Sequence, residues 1–158
     1  MKKGFTLIEF LIYLALTGMV VAMGIQLFSL AQDAIKFSQA QAEFERNLNF
    51  IETTLSYWIR QASGILSLTS TSLELSVDNP SFNPTKFRHH EQNLEISQGA
   101  SGNWQPLNSS NVKVIKVVFE KTSYPSSPPL ISFEIEVKGR IKGKEITRII
   151  KSTVGLRK

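Results

Sequence analysis

The strongest constraint on this chain is a predominantly apolar run at residues 5–31 that contains a single acidic residue, Glu9. About 20 consecutive apolar residues allow a helix to span the hydrocarbon core of a bilayer, and this run is longer. A carboxylate inside such a helix costs about 2.5–3.5 kcal/mol on insertion scales. No Lys, Arg or His lies within the run. We therefore expect the partner of Glu9 to come from another chain, or from a new amino terminus made by cleavage nearby.

The residues around the start of the run suggest that cleavage. The segment Lys3-Gly4-Phe5-Thr6-Leu7-Ile8-Glu9 resembles the class III signal of type IV pilins and pseudopilins. The resemblance implies that a prepilin peptidase cuts between Gly4 and Phe5 and methylates the new amino terminus of Phe5. It also implies that Glu9 becomes the fifth residue of the mature chain and pairs with a terminal amine as subunits enter a filament. An amine at Phe5 would supply the missing cation, and charge pairing is strong where the dielectric constant is low.

Two other interpretations of the amino-terminal segment are an ordinary signal anchor with a stray acidic residue and a secretory signal. A secretory signal carries small residues in an A-x-A pattern after its apolar region. No convincing site of that kind follows Ile25. Lys2 and Lys3 place the short leader on the cytoplasmic side by the positive-inside rule. We therefore expect a single-pass protein of the cytoplasmic (inner) membrane with its head outside the cytoplasm, and the resemblance implies later entry into a pilus or pseudopilus.

Length and composition limit the rest of the chain to one modest globular domain. The sequence has 158 residues, with 18 Lys and Arg against 13 Asp and Glu, and contains no Cys. Removal of residues 1–4 would take two of the 18 basic residues and lower the charge excess to +3. So mild an excess does not require a nucleic acid partner. The absence of Cys excludes a disulfide framework.

The helical pattern continues beyond the apolar run. Apolar residues recur at spacings of three and four, at Phe44, Leu48, Ile51, Leu55, Trp58 or Ile59, and Ala62. This pattern predicts one apolar stripe on an amphipathic helix, which needs a sheet to cover it. The opposite face is polar, with Glu43, Arg46, Asn47, Asn49, Thr53, Ser56 and Arg60. No proline occurs before Pro80, so we predict one helix over residues 5–62 that is capped at Ser63-Gly64. The heptads are too few for a coiled-coil stalk.

From Ile65 onward the apolar period changes to two, which is typical of strands. The predicted strands are residues 65–69, 73–77, 86–89, 93–97, 112–120, 131–138 and 145–156, and the predicted loops are residues 78–84, 98–111 and 124–129. The fold class is therefore α+β, with a long amino-terminal helix packed on an antiparallel β-sheet. This is the pilin-like arrangement that the resemblance implies. We expect a leader at residues 1–4, a transmembrane helix at 5–28, its amphipathic continuation at 29–63 and a sheet head at 64–158.

The globular part offers little catalytic chemistry. His89-His90-Glu91 is the only histidine cluster, and neighbouring residues on a strand point to opposite faces of the sheet. A solvated strand end is therefore favoured over a metal site. No glycine-rich phosphate loop follows a strand, and neither GxSxG nor HExxH occurs. We predict no enzyme activity, no catalytic residue, no metal and no cofactor.

Basic residues crowd residues 138–158, where Glu145 is the only acidic residue. Arg140, Lys142, Lys144 and Arg148 are candidates for contact with DNA phosphates or another anionic surface. The favoured interpretation is an edge hairpin that its lysines keep soluble and unpaired. Trp104 also has two interpretations, stacking on a base or sugar and packing over the sheet, of which the second is favoured. DNA is thus the less favoured partner.

The resemblance to type IV pilin-like proteins is specific over residues 4–28 and architectural beyond them. The ending, residues 152–157, is similar to that of J-type minor pseudopilins and related minor pilins. The resemblance implies a structural minor subunit of a type IV pilus or of a type II secretion-like pseudopilus. Its implied partners are prepilin peptidase, other pilins or pseudopilins through the amino-terminal helix, an inner-membrane platform, and membrane lipid before assembly. Two alternatives stay open: a DNA-binding minor pilin of a competence pilus, and a solitary membrane-anchored binding module.

Overall fold

The computed structural model describes residues 6–125, 128–141 and 143–157. One long helix, α1 (Leu7–Gln61), is followed only by strands and a short 3-10 helix in this described part of the chain. The strands are β1 (Ala62–Leu68), β2 (Ser72–Val77), β3 (Thr85–His90), β4 (Asn93–Gln98), β5 (Gln105–Pro106), β6 (Val112–Thr122), β7 (Leu130–Ile141) and β8 (Lys144–Gly155), and the 3-10 helix is Pro80–Phe82. The α+β prediction of a long helix followed by antiparallel sheet is confirmed.

The chain divides into two compact units, Met1–Ala40 and Gln41–Lys158, and α1 runs through both. In the first unit every side chain from Thr6 to Gln39 is exposed. The first turns of α1 are apolar on all sides, and α1 is long and apolar enough to cross a membrane. Its side chains therefore need lipid or other chains to cover them.

The second unit begins with the amphipathic end of α1. Its buried side chains are those of the predicted stripe: Phe44, Leu48, Ile51, Leu55 and Ile59, followed by Ala62 at the start of β1. The sequence pattern allowed either Trp58 or Ile59 as the fifth member. Ile59 is fully buried and Trp58 is half-buried, so Ile59 is the core residue.

The predicted cap at Ser63-Gly64 is wrong, because both residues already belong to β1. The helix ends at Gln61 and the strand starts at the next residue, Ala62, with no loop between them. Ala62 pairs with Val77 of β2, and its carbonyl oxygen accepts the backbone N–H of Arg157 at 3.2 Å. The first residue after the helix is therefore already bonded to two other segments of the chain.

The strands form two antiparallel sheets where the sequence analysis expected one. The first has the order β1-β2-β3-β4-β5 and the second β6-β7-β8. Turns of the first sheet bond to the edge of β6: the N–H of Val114 donates to the Gln92 carbonyl at 2.9 Å, and that of Phe119 to the Ser70 carbonyl at 3.0 Å. These bonds join the two sheets along one edge of β6.

Strand β7 alternates as the sequence predicts, with Ile131, Phe133, Ile135 and Val137 buried. Gly139 continues this inward face of β7 and is buried against the ring of Phe44 from α1. A Cβ atom on Gly139 would overlap ring carbons Cδ2 and Cε2 of Phe44. Only glycine fits at this position of the strand without movement of its neighbours.

Candidate functional site

Glu9 lies in the first turn of α1 and bonds to Thr6, the residue before the helix begins. Its Oε2 accepts hydrogen bonds from the Thr6 backbone N–H at 3.2 Å and from the Thr6 hydroxyl at 3.1 Å. In return, the backbone N–H of Glu9 donates to the Thr6 Oγ1 at 3.3 Å. This reciprocal pair is a capping box, which satisfies amides of the first turn that have no partner within the helix.

The sequence analysis expected a cation as the partner of Glu9, and Thr6 adds two neutral donors that it did not name. The signal was present in the sequence, since Thr6-Leu7-Ile8-Glu9 fits the S/T-x-x-E pattern. Among the described residues no cation pairs with the carboxylate, and its Oε1 accepts no hydrogen bond. The predicted processing residues, Gly4 and Phe5, lie outside the described residues. The box therefore holds Glu9 at the amino end of the helix, and no donor among the described residues bonds to its Oε1.

The structure does not bring the four basic candidate residues together on one face. Arg140 stands opposite Glu145 on the outward face of the β7-β8 pair. Lys144 and Arg148 stand opposite Ile141 and Val137, which face the buried side of the sheet. Lys142 lies outside the described residues. Contact of this set with an anionic surface stays a prediction.

Two of the basic side chains of this sheet form ion pairs with acidic residues. Arg148 Nε lies 3.8 Å from Glu45 Oε1 of α1, and Lys151 Nζ lies 2.7 Å from Glu134 Oε2. The hydrogen bond from Lys151, with a smaller contribution from the charge of Lys116, lowers the pKa of Glu134 below its usual range. Strand β8 is the last strand of its sheet. Mixed charge on an end strand supports the interpretation of a solvated edge.

One like-charge pair on this sheet was not found from the sequence. Lys113 of β6 stands directly opposite Lys138 of β7, and Lys116 is opposite Glu136. Like charges directly opposite each other on neighbouring strands are destabilising. Strand register brings these residues together from separate parts of the sequence, so no local pattern indicated the pair.

The two histidines have separate partners. Half-buried His89 places its Nε2 3.1 Å from the carbonyl oxygen of Val114, and exposed His90 places its Nδ1 3.9 Å from Glu95 Oε1. A solvated strand end therefore describes His90 and not His89. In the described ranges no three His, Cys, Asp or Glu side chains are grouped as metal ligands.

Trp104 packs over the first sheet. It is half-buried, and the Cζ atom of Arg88 lies 4.0 Å from the centroid of its ring. Arg88 is itself held by Glu95, whose Oε2 accepts from the Arg88 Nε at 2.7 Å. The guanidinium covers one face of the indole, so packing over the sheet describes Trp104 better than base stacking does.

Comparison with known families gives a match, which covers the amino-terminal segment. Residues 1–25, which include Thr6, Glu9 and the beginning of α1, match the model described as the prokaryotic N-terminal methylation motif. The chain is type IV pilin-like. No curated protein and no solved structure matches it significantly.

The match has direct consequences for this pilin-like chain. The motif implies processing by prepilin peptidase and assembly with other pilins. Pilin-like proteins are structural and non-enzymatic in kind. The long apolar stretch of α1, together with the motif, is consistent with anchoring in the inner membrane.

Proposed function

We propose that this chain is a minor subunit of a type IV pilus or of a type II secretion-like pseudopilus. The observation that carries the proposal is the match of residues 1–25 to the methylation motif, on a chain whose helix continues from an exposed apolar half into a buried stripe. Prepilin peptidase cuts between Gly4 and Phe5 and methylates Phe5, and the head stays outside the cytoplasm. The anchor rests in membrane lipid until the inner-membrane platform adds the subunit to a filament.

The geometry at Glu9 supports an assembly role for its carboxylate. The capping box uses Oε2 for Thr6, and Oε1 accepts nothing from the described residues. A terminal ammonium made at Phe5, on the same chain or on a neighbour, provides the charge that the box lacks. In a low-dielectric surrounding that pairing is far stronger than at a protein surface.

The sequence of residues 152–157 supports a minor rather than a major subunit. Residues 152–157 are similar to the ending of J-type minor pseudopilins and related minor pilins. They lie in β8 and just beyond it, where Leu156 is buried and the Arg157 N–H donates to the Ala62 carbonyl. The ending is thus part of the packed head.

Substitutions at Glu9 and Thr6 test the proposal by separating charge from helix capping. Glu9→Gln keeps a side chain that can complete the capping box but removes the charge, and Glu9→Ala removes both. Thr6→Ser keeps the box and the charge and is the matched control. Both Glu9 variants should enter the membrane at least as well as the wild type, because a neutral side chain is cheaper to insert. Both should be cleaved after Gly4 and yet enter filaments poorly, whereas Thr6→Ser should assemble normally.

The measurement is cross-linking of native membranes to a neighbouring pilin or pseudopilin at equal protein levels, with mass spectrometry of the amino terminus. Equal cross-linking yields for the wild type and both Glu9 variants would remove Glu9 from the assembly role. A defect in Glu9→Ala alone would assign the role to capping and not to charge.

A further inference from the structure

Three aromatic side chains meet at the end of α1 beside a pocket of about 280 Å³. The rings of Tyr57 and Trp58 lie edge to face, with centroids 5.1 Å apart and planes inclined by 83°. The rings of Trp58 and Phe82 are 5.4 Å apart and inclined by 60°. Tyr57 is 52 % exposed and Phe82 is 38 % exposed, whereas Ile59 on the same helix is fully buried. These rings are therefore a surface cluster and not part of the core.

Apart from Val77, the other residues that line the pocket are polar. Asp78 and Arg157 form an ion pair, with 3.3 Å between Oδ2 and Nη1, and their side chains are 64 % and 61 % exposed. Asn79 and Gln61 also line the pocket. All four are planar groups that donate or accept hydrogen bonds in fixed directions. The pocket thus combines an aromatic side with directional polar groups, as small-molecule sites do.

The walls are held by bonds that need no ligand. The Ser81 N–H donates to Asn79 Oδ1 at 3.0 Å, which caps the 3-10 helix that carries Phe82. The Val77 N–H donates to Asn83 Oδ1 at 3.2 Å, and the Arg157 N–H bonds to the Ala62 carbonyl. Because the site is preformed, little ordering is needed when a ligand binds.

The charge at the pocket selects between two kinds of ligand for aromatic rings. A cationic ligand would be drawn to the rings, but Arg157 already places a cation on the wall and neutralises Asp78. A neutral polyhydroxylated ligand can accept from Arg157 and donate to Asp78 without disturbing their balance of charge. Its apolar C–H face can lie on a ring at the same time.

We propose that this pocket binds a neutral oligosaccharide of β-1,4-linked, gluco-configured sugars. In that configuration the ring substituents are equatorial, so the pyranose faces carry only C–H groups and suit the side formed by Tyr57 and Trp58. The ring hydroxyls can then bond to Asp78, Arg157 and Asn79 on the other walls of the pocket. The pocket is near the small end of the range for ligand sites, about 300–1,000 Å³, which fits one sugar ring with its neighbours extending outward. The proposed sugar binding does not depend on residues 1–25, so a negative binding result would leave the proposed function unaffected.

The chain itself offers a reporter for binding. It has two tryptophans, so Trp104→Phe leaves Trp58 as the sole indole. The full chain carrying this substitution, in amine-oxide detergent micelles without sugar head groups, is titrated with cellotetraose and separately with chitotetraose. Trp58 emission should change saturably with a Kd of about 1 mM for at least one of them. The reciprocal variant, Trp58→Phe, reports from Trp104 stacked on Arg88 and should show no saturable change.

Further variants locate the ligand. Tyr57→Ala and Asp78→Ala should each weaken binding about tenfold, the equivalent of one lost contact of about 1.4 kcal/mol. Phe50→Ala is the matched control, since Phe50 is an aromatic residue of α1 that is 54 % exposed and does not line the pocket. Circular dichroism confirms that each variant is folded.

Three outcomes would overturn the proposal. One is no saturable change with either sugar up to about 10 mM, a concentration at which a millimolar site is largely filled. Another is equal weakening by Tyr57→Ala and Phe50→Ala. The third is a response to tetramethylammonium and to neither sugar, which would assign the rings to a cationic ligand. Binding of chitotetraose alone would support the proposal and add the acetamido group to the recognised chemistry.

Discussion

Gly139→Ala tests directly whether α1 packs on β7 as the structure shows. The added methyl group would overlap the ring of Phe44, which is 4 % exposed and has little space to move. Gly64→Ala is a matched control, because Gly64 also lies in a strand and its added Cβ would meet only the Cβ of Ser76 at 4.0 Å. The same chemical change should therefore have opposite effects at the two positions.

The magnitudes follow from two opposing effects. Replacing glycine by alanine where the backbone permits it stabilises a protein by about 0.4–1 kcal/mol, because the unfolded chain loses conformational freedom. Overpacking a close-packed interior costs about 1–3 kcal/mol. Gly139→Ala should therefore lower the free energy of unfolding by up to about 2.6 kcal/mol, and Gly64→Ala should leave it unchanged or raise it by up to about 1 kcal/mol. With a urea dependence of about 1–3 kcal/mol per molar, a loss of about 1.5 kcal/mol lowers the midpoint by roughly 0.5–1.5 M.

The assay is urea unfolding of residues 29–158, monitored by the fluorescence of Trp58 and Trp104. We expect this fragment to fold without the anchor, because the buried stripe and both sheets lie in the unit Gln41–Lys158. Adding Phe44→Leu to Gly139→Ala should lessen the cost of the methyl group in a double-mutant cycle. Equal midpoints for the two glycine variants would show that Phe44 does not lie against Gly139, and the packing of α1 on β7 would be wrong.

Three further predictions concern the core, an ion pair and processing. Leu55→Ala removes a fully buried side chain and should cost about 2–5 kcal/mol in urea unfolding, while Glu43→Ala on the exposed face should cost little; equal midpoints would contradict the packing. Because the pKa of Glu134 is lowered in the folded state, its stabilising contribution is present above the pKa of the unfolded carboxyl group and disappears as the pH falls through the lowered value. Lys151→Met should raise that pKa toward its ordinary value in an NMR titration, and an unchanged value would exclude Lys151 as the cause. Gly4→Val should prevent both cleavage and methylation by a co-expressed prepilin peptidase, and mass spectrometry that shows a processed variant would refute the assigned site.

Local periodicity was sufficient to predict α1 and seven of the eight strands in the described part of the chain, whereas β5 and the 3-10 helix lie in the predicted loops 98–111 and 78–84. The change of apolar spacing from three and four to two at Ile65 marks the change from helix to strand within a few residues of its position in the structure. Spacing could not choose between Trp58 and Ile59, because both fit the stripe. The choice depends on which side chain meets the sheets, and that is a property of the packed unit.

Features that depend on pairing between distant parts of the chain could not be predicted from local periodicity. The division into two sheets depends on which strands pair with each other, and no local pattern indicates that pairing. The face on which each basic residue lies depends on strand register, and a shift of one residue reverses every face. This is why Arg140 and Lys144 looked like one cluster in the sequence and lie on different faces in the structure. The aromatic pocket could not be predicted either, because its lining residues come from three segments of the chain that only the folded structure brings together.

The direct passage from α1 into β1 has a mechanical consequence. At Ala62 the chain has no loop that could extend, and the residue is fastened on two sides, by its pairing with Val77 and by the N–H of Arg157. A force applied along the end of α1 would therefore act directly on the pairing of β1 with β2 and on the hydrogen bond from Arg157, because no loop can extend first.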